Sequence, residues 1–482
     1  MEPKTRFAYV YGSLREQIVT GQWEGDTTLP SIACLSEIYH VGVRTIKTVL
    51  NALSQEGLIR TQARKKAVVL YRPPLDCPKT AGRLLSRRTS ILECFFTMEL
   101  LMPDVLSFCA RSYRAEVLWN RQPARKKDAD GRWKTASILI HDVLHSSGNL
   151  LLNSLYTSLE VYAQIPFFMD RRSSFILYSP CDENRGLDWV VETLRKRDFY
   201  ERRNRFQQTY HAVTVSVYQS FELLKNQFPL AKDDACLDYV WRVEGVRNPL
   251  YARIARTLME QINAGSPPPG ALLPSQSALA EQYGVSVATI RKAMSVVTAL
   301  GFGQTRPGIG TVALPSGGAA ASWTLQDGGR RNALVYLSGL QLLAFAVHPA
   351  ARLAFDRMND NDRRRLCDIM QKTGSVPLEA YVCCIADRLP LRPLEQILKK
   401  TAGLLKEGYD SVCFDSYLNT MALRRISRRA LRFLLDGDRL NFADALCEGY
   451  WHCFQAAQEL FIQKGCPEAA RMRFPHDVVF RP

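Results

Sequence analysis

The sequence predicts a mainly α-helical protein of four domains, two small winged helix-turn-helix domains each followed by an all-helical, effector-like domain. Three observations predict it. One segment recurs at a fixed offset, each copy closes on a short strand pair, and the regions between carry Leu, Ala and Arg at helical spacing. At 482 residues the chain is too long for one ordinary domain, since about 150 residues is a usual domain size.

The repeat is read directly. Residues 29–49, LPSIACLSEIYHVGVRTIKTV, align without a gap on 273–293, LPSQSALAEQYGVSVATIRKA, at an offset of 244. Upstream, Glu16, Gln17, Ile18 and Gly21 fall on Glu260, Gln261, Ile262 and Gly265. Downstream, Gly57, Thr61 and Val68 fall on Gly301, Thr305 and Val312. One compact match per long period indicates duplicated domains, not a solenoid.

Each copy opens with a helix, Phe7 to Val19 and Tyr251 to Asn263, whose apolar residues (Phe7, Val10, Leu14, Ile18; Tyr251, Ile254, Leu258, Ile262) recur at helical spacing. The turn-rich stretches GQWEGDT and GSPPPG follow. Pro30-Ser31 and Pro274-Ser275 then start a second helix, with Ser as N-cap, running to Tyr39 or Tyr283. A third helix is expected from Thr45 to Leu53 and from Thr289 to Val297, ended near Gly57 or Gly301. IRTQARKKAVVL and GQTRPGIGTVAL read as two short strands around a tight turn, the wing. The domains are expected at 1–72, 73–246, 247–315 and 316–482, with RVEGVRNP (242–249) and PSGGAAASW (315–323) as connectors.

Composition narrows the function. A formal net charge of +16 favours polyanionic partners through counterion release. Arg, Lys, Asp and Glu are expected to interrupt every long apolar run before the roughly 18 residues of a membrane span. The start, MEPKTRFAYVYGSLREQ, lacks the apolar core of a secretory signal, so a cytoplasmic location is expected. Thirteen cysteines, none in a CxxC pair, are expected as reduced hydrophobes; Cys94, Cys109, Cys236, Cys367 and Cys447 lie in apolar stretches. No G-x-S-x-G, no phosphate-binding Gly loop followed by Lys and no H-E-x-x-H is present, so no enzyme is expected.

A helix-turn-helix places its third helix in the major groove, and the N-terminal end of a helix offers free N–H groups to a phosphate. The candidate DNA-binding residues are Ser31, Arg44, Thr45, Lys47 and Thr48 of copy one, with Arg64, Lys65 and Lys66 on its wing. In copy two they are Ser275, Ser286, Thr289, Arg291 and Lys292, with Arg306, Gly308 and Gly310 on the wing. Gly308-Ile309-Gly310 would let the backbone approach DNA closely. The run RKRDFYERRNR (195–205) is read as a solvated helix face, with Asp198 and Glu201 giving neighbouring ion pairs.

LPS, LAEQYGVSVATIRKAM and the G-x-GT of the wing resemble the DNA-binding domain of the GntR family of bacterial regulators over about 65 residues of copy two, and copy one is similar but worn. The family's usual Arg two residues after the Ser of LPS is Ala33 or Ser277 here. Its usual Arg directly after the Ser of VS is Val43 or Val287. The helical regions resemble the effector (FCD) domain of the family's FadR-like branch. They do so in ILIHDVLHSSGNLLLNSLYTSLE and VVETLRKRDFYERRNRFQQTYHA, and in LLAFAVHPAARLAFDRMNDNDRRRLCDIM and RRALRFLLDGDRLNFADALCEGYWHC.

The resemblance implies a transcription regulator, by family habit a repressor, whose partners are double-stranded operator DNA and a small-molecule effector. With two wings on one chain it implies a monomeric pseudo-dimer or a homodimer. The domain type commonly holds a divalent metal through one Asp and three His. His141 and His211 fall at two of those positions, Ser137 stands at the Asp position, and His141 with His145 could form a minimal pair. In the last region Tyr381 replaces the first His and His452 remains, so no metal is expected there. No cofactor is required; an organic effector or a divalent metal in 73–246 is left open. The alternative function is an interaction or adaptor protein whose winged domains no longer bind DNA specifically.

Overall fold

The computed structural model describes residues 6–19, 28–39, 41–62, 65–71, 82, 84–113, 129–163, 187–228, 239–241, 250–299, 301–314, 327–374, 376–407 and 421–474. It divides into two compact units. One comprises 1–146, 153–245 and 391–393, and the other 147–152, 246–390 and 394–482.

The first unit begins with α1 (Arg6–Val19), α2 (Ile32–Ile38), α3 (Val43–Gln55), β1 (Ile59–Arg60) and β2 (Val68–Val69). Val10, Leu14 and Ile18 of α1 are fully buried against Ile46, Val49 and Leu53 of α3. The apolar stripe at spacings of three and four is therefore what closes this core. The strands pair antiparallel, Ile59 with Val69 and Arg60 with Val68. The strands are two residues each, and between them Lys65 N–H bonds Gln62 O at 3.2 Å across residues 63 and 64, which lie outside the described residues.

The second unit holds the corresponding elements α9 (Leu250–Asn263), α10 (Gln276–Tyr283), α11 (Val287–Ala299), β3 (Gly303–Arg306) and β4 (Gly310–Ala313). Its core uses Ile254, Leu258, Ile262, Ile290, Ala293 and Val297, each 244 residues beyond a core residue of the first copy. The backbone repeats at the same offset. Leu29 N–H donates to Ala67 O at 2.8 Å and Leu273 N–H to Thr311 O at 2.8 Å, and the isolated bridges Thr28–Val68 and Leu272–Val312 correspond. Gly57 and Gly301, which end the third helices, both adopt left-handed φ angles, 75° and 80°. In this copy every residue of the turn is described. Ile309 N–H bonds Arg306 O at 3.1 Å across Pro307 and Gly308, and Gly308 has φ 75°. Pro followed by a left-handed Gly is the residue pair a type II turn requires.

The helical part of the first unit contains α4 (Arg88–Cys109), α5 (Ala129–Ser146), α6 (Leu152–Tyr162), α7 (Leu187–Arg195) and α8 (Phe199–Gln227). Helices α4 and α8 run antiparallel. Arg88 pairs with Glu222, Glu99 with His211 at 2.7 Å, and Asp104 with Arg203, so one number falls as the other rises.

The basic run at 195–205 is in part the solvated face expected from the sequence, with Arg195, Arg197, Asp198, Glu201 and Asn204 exposed, but Arg202 departs from it. Arg202 is 3% exposed. Its guanidinium donates to Arg197 O at 3.0 Å, to Lys196 O, and to Ser107 O of α4 at 3.0 Å. Burial, then the nearby charge of Arg111, lowers its pKa from the ordinary arginine value. Arg205 lies 3.5 Å over the Trp189 ring. Asp198 caps α8 by accepting Glu201 N–H at 2.7 Å, and Glu201 does pair with Lys196 at 2.7 Å. Two of the run's cations, Arg202 and Arg205, are thus engaged by carbonyls and by an aromatic face.

The second unit ends in α12 (Asp327–Ala354), α13 (Asp360–Thr373), α14 (Leu378–Ala386), α15 (Arg392–Glu407), α16 (Met421–Leu435) and α17 (Arg439–Gln463). The expectation that charges interrupt every long apolar run fails in α12, where 332–351 holds no Asp, Glu, Lys or Arg. By length and composition this helix could cross a membrane, yet 83% of its apolar window is buried inside the protein. It packs along α17 and α14 as a core helix. Asn359 and Asp362 form a capping box at the start of α13. Burial pushes the Asp362 carboxyl up, but Arg388, 2.7 Å away, and the Asn359 N–H together hold it below the usual carboxylate value.

Cys94, Cys109 and Cys447 are buried free thiols, whereas Cys367 is half-buried and Cys236 lies outside the described residues.

Candidate nucleic-acid interface

The third helix of each winged unit begins two residues earlier than its apolar pattern suggests, at Val43 and Val287. Burying Ile46, Val49, Leu50 and Leu53 on one side leaves Val43, Arg44, Lys47, Thr48 and Asn51 exposed on the other. In copy two, Ile290, Ala293, Met294 and Val297 are buried, and Val287, Ala288, Arg291, Lys292 and Ser295 are exposed. Two charged side chains therefore lie within about one and a half helical turns of each N-terminus, on the face turned from the core.

The helix starts differ. In copy one, Gly42 in extended conformation is the N-cap and no side chain caps α3. A first turn capped only by backbone suits an anion, because its N–H groups point outward. In copy two, Ser286 Oγ accepts Thr289 N–H at 3.3 Å and meets Thr289 Oγ1 at 2.9 Å. Ser286 thus caps α11, and the hydroxyls of Ser286 and Thr289 are engaged with each other. Thr48 donates its hydroxyl to Arg44 O at 3.0 Å, and Thr45 is half-buried.

Ser275 accepts Ala278 N–H at 3.2 Å and is the N-cap of α10, as the sequence indicates. Ser31 precedes α2, is exposed, and accepts Leu35 N–H at 2.8 Å through its carbonyl. On the wings, Lys65 and Lys66 are exposed and Arg64 lies outside the described residues. Arg306, Gly308 and Gly310 are exposed at the tip of the β3–β4 hairpin. Gly310 has φ 132°, and a Cβ there would meet Leu272 Cδ2 at 3.3 Å. Both the dihedral and the contact favour glycine.

The family's arginine positions are occupied by Ala33, Ser277, Val43 and Val287, all exposed. The two valines are large apolar side chains, 46% and 38% exposed, at the head of the third helix. The signal was the same residue at both copies where the neighbouring exposed residues change.

The candidate metal positions do not come together. His141 Nδ1 lies 2.6 Å from Asn153 Oδ1 and its Nε2 lies 2.9 Å from Glu160 Oε2, while Ser137 Oγ donates to Glu160 Oε1 at 2.6 Å. His211 instead bonds Glu99 on α4. Burial opposes charge on His141, yet Glu160, helped by Asn153 and Asp142, holds its pKa above the ordinary histidine value. His145 is exposed. In the last region Tyr381 is fully buried and donates to Ser427 O at 2.8 Å. Burial lowers the pKa of His452. Among the described residues no three His, Cys, Asp or Glu side chains converge in a way that could hold a metal ion. The residues present do not fit the metal the family commonly holds.

Comparison with known proteins places both winged units. The model of the gntR family of bacterial regulatory proteins matches residues 8–69 and 250–312. The histidine utilization repressor of Pseudomonas putida is 42% identical over 73 residues, covering 15% of this chain and 29% of that protein. The HTH-type transcriptional regulator TreR of Bacillus subtilis (strain 168) is 25% identical over 219 residues, covering 42% of this chain and 90% of its own length. A solved GntR family member from Pseudomonas syringae pv. tomato is 20% identical over 47% of this chain and 92% of its own, with a TM-score of 0.19. The chain thus spans less than a third of the P. putida repressor. Two segments of the chain, 8–69 and 250–312, one in each winged unit, are therefore similar to the gntR family of bacterial regulatory proteins.

Proposed function

We propose that this protein is a sequence-specific, cytoplasmic transcription regulator that reads DNA with two unlike wings on one chain, as a pseudo-dimer. The observation that carries the reading is the repeated geometry: the same core and the same backbone hydrogen bonds at an offset of 244, each presenting exposed cations at the head of its third helix. Arg44, Lys47, Lys65 and Lys66 serve one half-site, together with Arg64. Arg291, Lys292 and Arg306 serve the other, with Gly308 and Gly310 bringing backbone close to it. Ser31, Thr45, Thr48, Ser275, Ser286 and Thr289 act near the helix starts, Ser275 and Ser286 as caps that fix the turn. Because the exposed faces differ, Arg44 against Ala288 and Thr48 against Lys292, the preferred operator is asymmetric.

In this reading 73–246 and 316–482 are the effector-like domains that follow each wing, and the first answers a small organic ligand. Repression is the mode that the name of the P. putida relative suggests. The test is selection of bound duplexes from a random pool by the full-length protein at moderate salt. Enrichment of a site with two unlike halves supports the proposal, and a palindrome replaces the pseudo-dimer with a homodimer using one dominant wing. Absence of enrichment, with binding that vanishes as salt rises, makes the winged units non-specific adaptors.

A further inference from the structure

We infer that Val43 and Val287 read the 5-methyl groups of thymines at equivalent positions of the two half-sites; this rests on the DNA-regulator reading above. Each valine is the first residue of its recognition helix and is largely exposed, 46% and 38%. A β-branched residue is a weak helix former, and at an exposed first position its side chain adds little to the core. On the same face one turn later stand Lys47 and Arg291, both exposed. The valine is therefore the apolar neighbour of a cation, on the surface that a helix-turn-helix turns toward base edges.

The internal comparison sharpens the point. Between the copies the exposed positions change, Arg44 to Ala288, Lys47 to Arg291, Thr48 to Lys292 and Asn51 to Ser295, whereas valine stands at 43 and at 287. Among the four bases only thymine presents a methyl group in the major groove, and an aliphatic side chain is its natural partner. A valine can make no hydrogen bond there. The two half-sites consequently share a thymine at one position.

The experiment uses the full-length protein and the duplex it enriches from a random pool, with each thymine replaced singly by deoxyuridine, which removes only the methyl. One replacement in each half-site is expected to weaken binding about four-fold, what burying a single methyl group is worth. Val43→Ala should abolish that sensitivity in one half-site and Val287→Ala in the other. The salt dependence of both variants should match that of the parent, since no charge changes. An enriched site indifferent to every deoxyuridine, or sensitivity that survives both substitutions, overturns this inference alone. Failure to enrich any site overturns the DNA-regulator reading and this inference with it.

Discussion

Seven exposed cations carry the proposed phosphate contacts, Arg44, Lys47, Lys65 and Lys66 in one copy and Arg291, Lys292 and Arg306 in the other. Each neutralised phosphate contributes about −0.9 to the slope of log K against log salt, so the parent protein should show a slope near about −6. Replacing the four cations of copy one by Ala should reduce that slope by up to about 4, and replacing the three of copy two by up to about 3. Between 50 and 200 mM salt each lost contact is then worth about 3.5-fold in affinity. The side chains are exposed, so the variants should stay within about 0.5 kcal/mol of parental stability, which thermal melting checks. Fluorescence anisotropy of a labelled duplex across a salt series gives the slopes. A parental slope near zero, or slopes unmoved in both variants, refutes the proposed phosphate contacts. A change confined to one variant removes the other wing from the DNA.

Ile46 and Ile290 are fully buried at corresponding core positions, and truncating either to Ala should cost about 2–5 kcal/mol in urea unfolding. A cost below about 1 kcal/mol would show that the helix packs otherwise. Arg202→Ala should destabilise the first unit by about 3 kcal/mol, because three carbonyls lose a buried donor; denaturant titration measures it. For His141 the folded pKa lies above the unfolded one, near about 6.5, so its pairing with Glu160 is complete below that pH. The stabilisation is lost as pH rises through the folded value. The melting difference between parent and His141→Gln should therefore shrink from pH 5.5 to 8.5. A difference independent of pH would mean that the pair is not charged.

Periodicity made the core of each wing legible, because a side chain's place on a helix face follows from its number alone. Val10, Leu14 and Ile18 and their counterparts at 254, 258 and 262 were readable as one buried stripe. The caps were legible where a side chain makes them: Ser275 precedes an apolar helix and accepts its third N–H. The start of the third helix in copy one was not, since Gly42 and Val43 carry no side-chain cap and only backbone hydrogen bonding assigns it, whereas in copy two Ser286 supplies one.

The charged runs were the least legible. A run of arginines looks the same whether it faces water or plugs carbonyls. Arg202 was settled by the approach of Ser107, 95 residues earlier in the chain. His141 and His211 read as one ligand set, but packing gives the first to Glu160 and the second to Glu99. The uncharged stretch of α12 was legible as helical, but that it is a core helix follows only from the burial of 83% of its apolar window. The sequence by itself determined the repeated winged units, because local patterns, turn residues and caps act within a few positions of one another. Which polar groups meet, and hence which cations remain free for a partner, was decided only by tertiary structure, because those partners lie far apart in the chain.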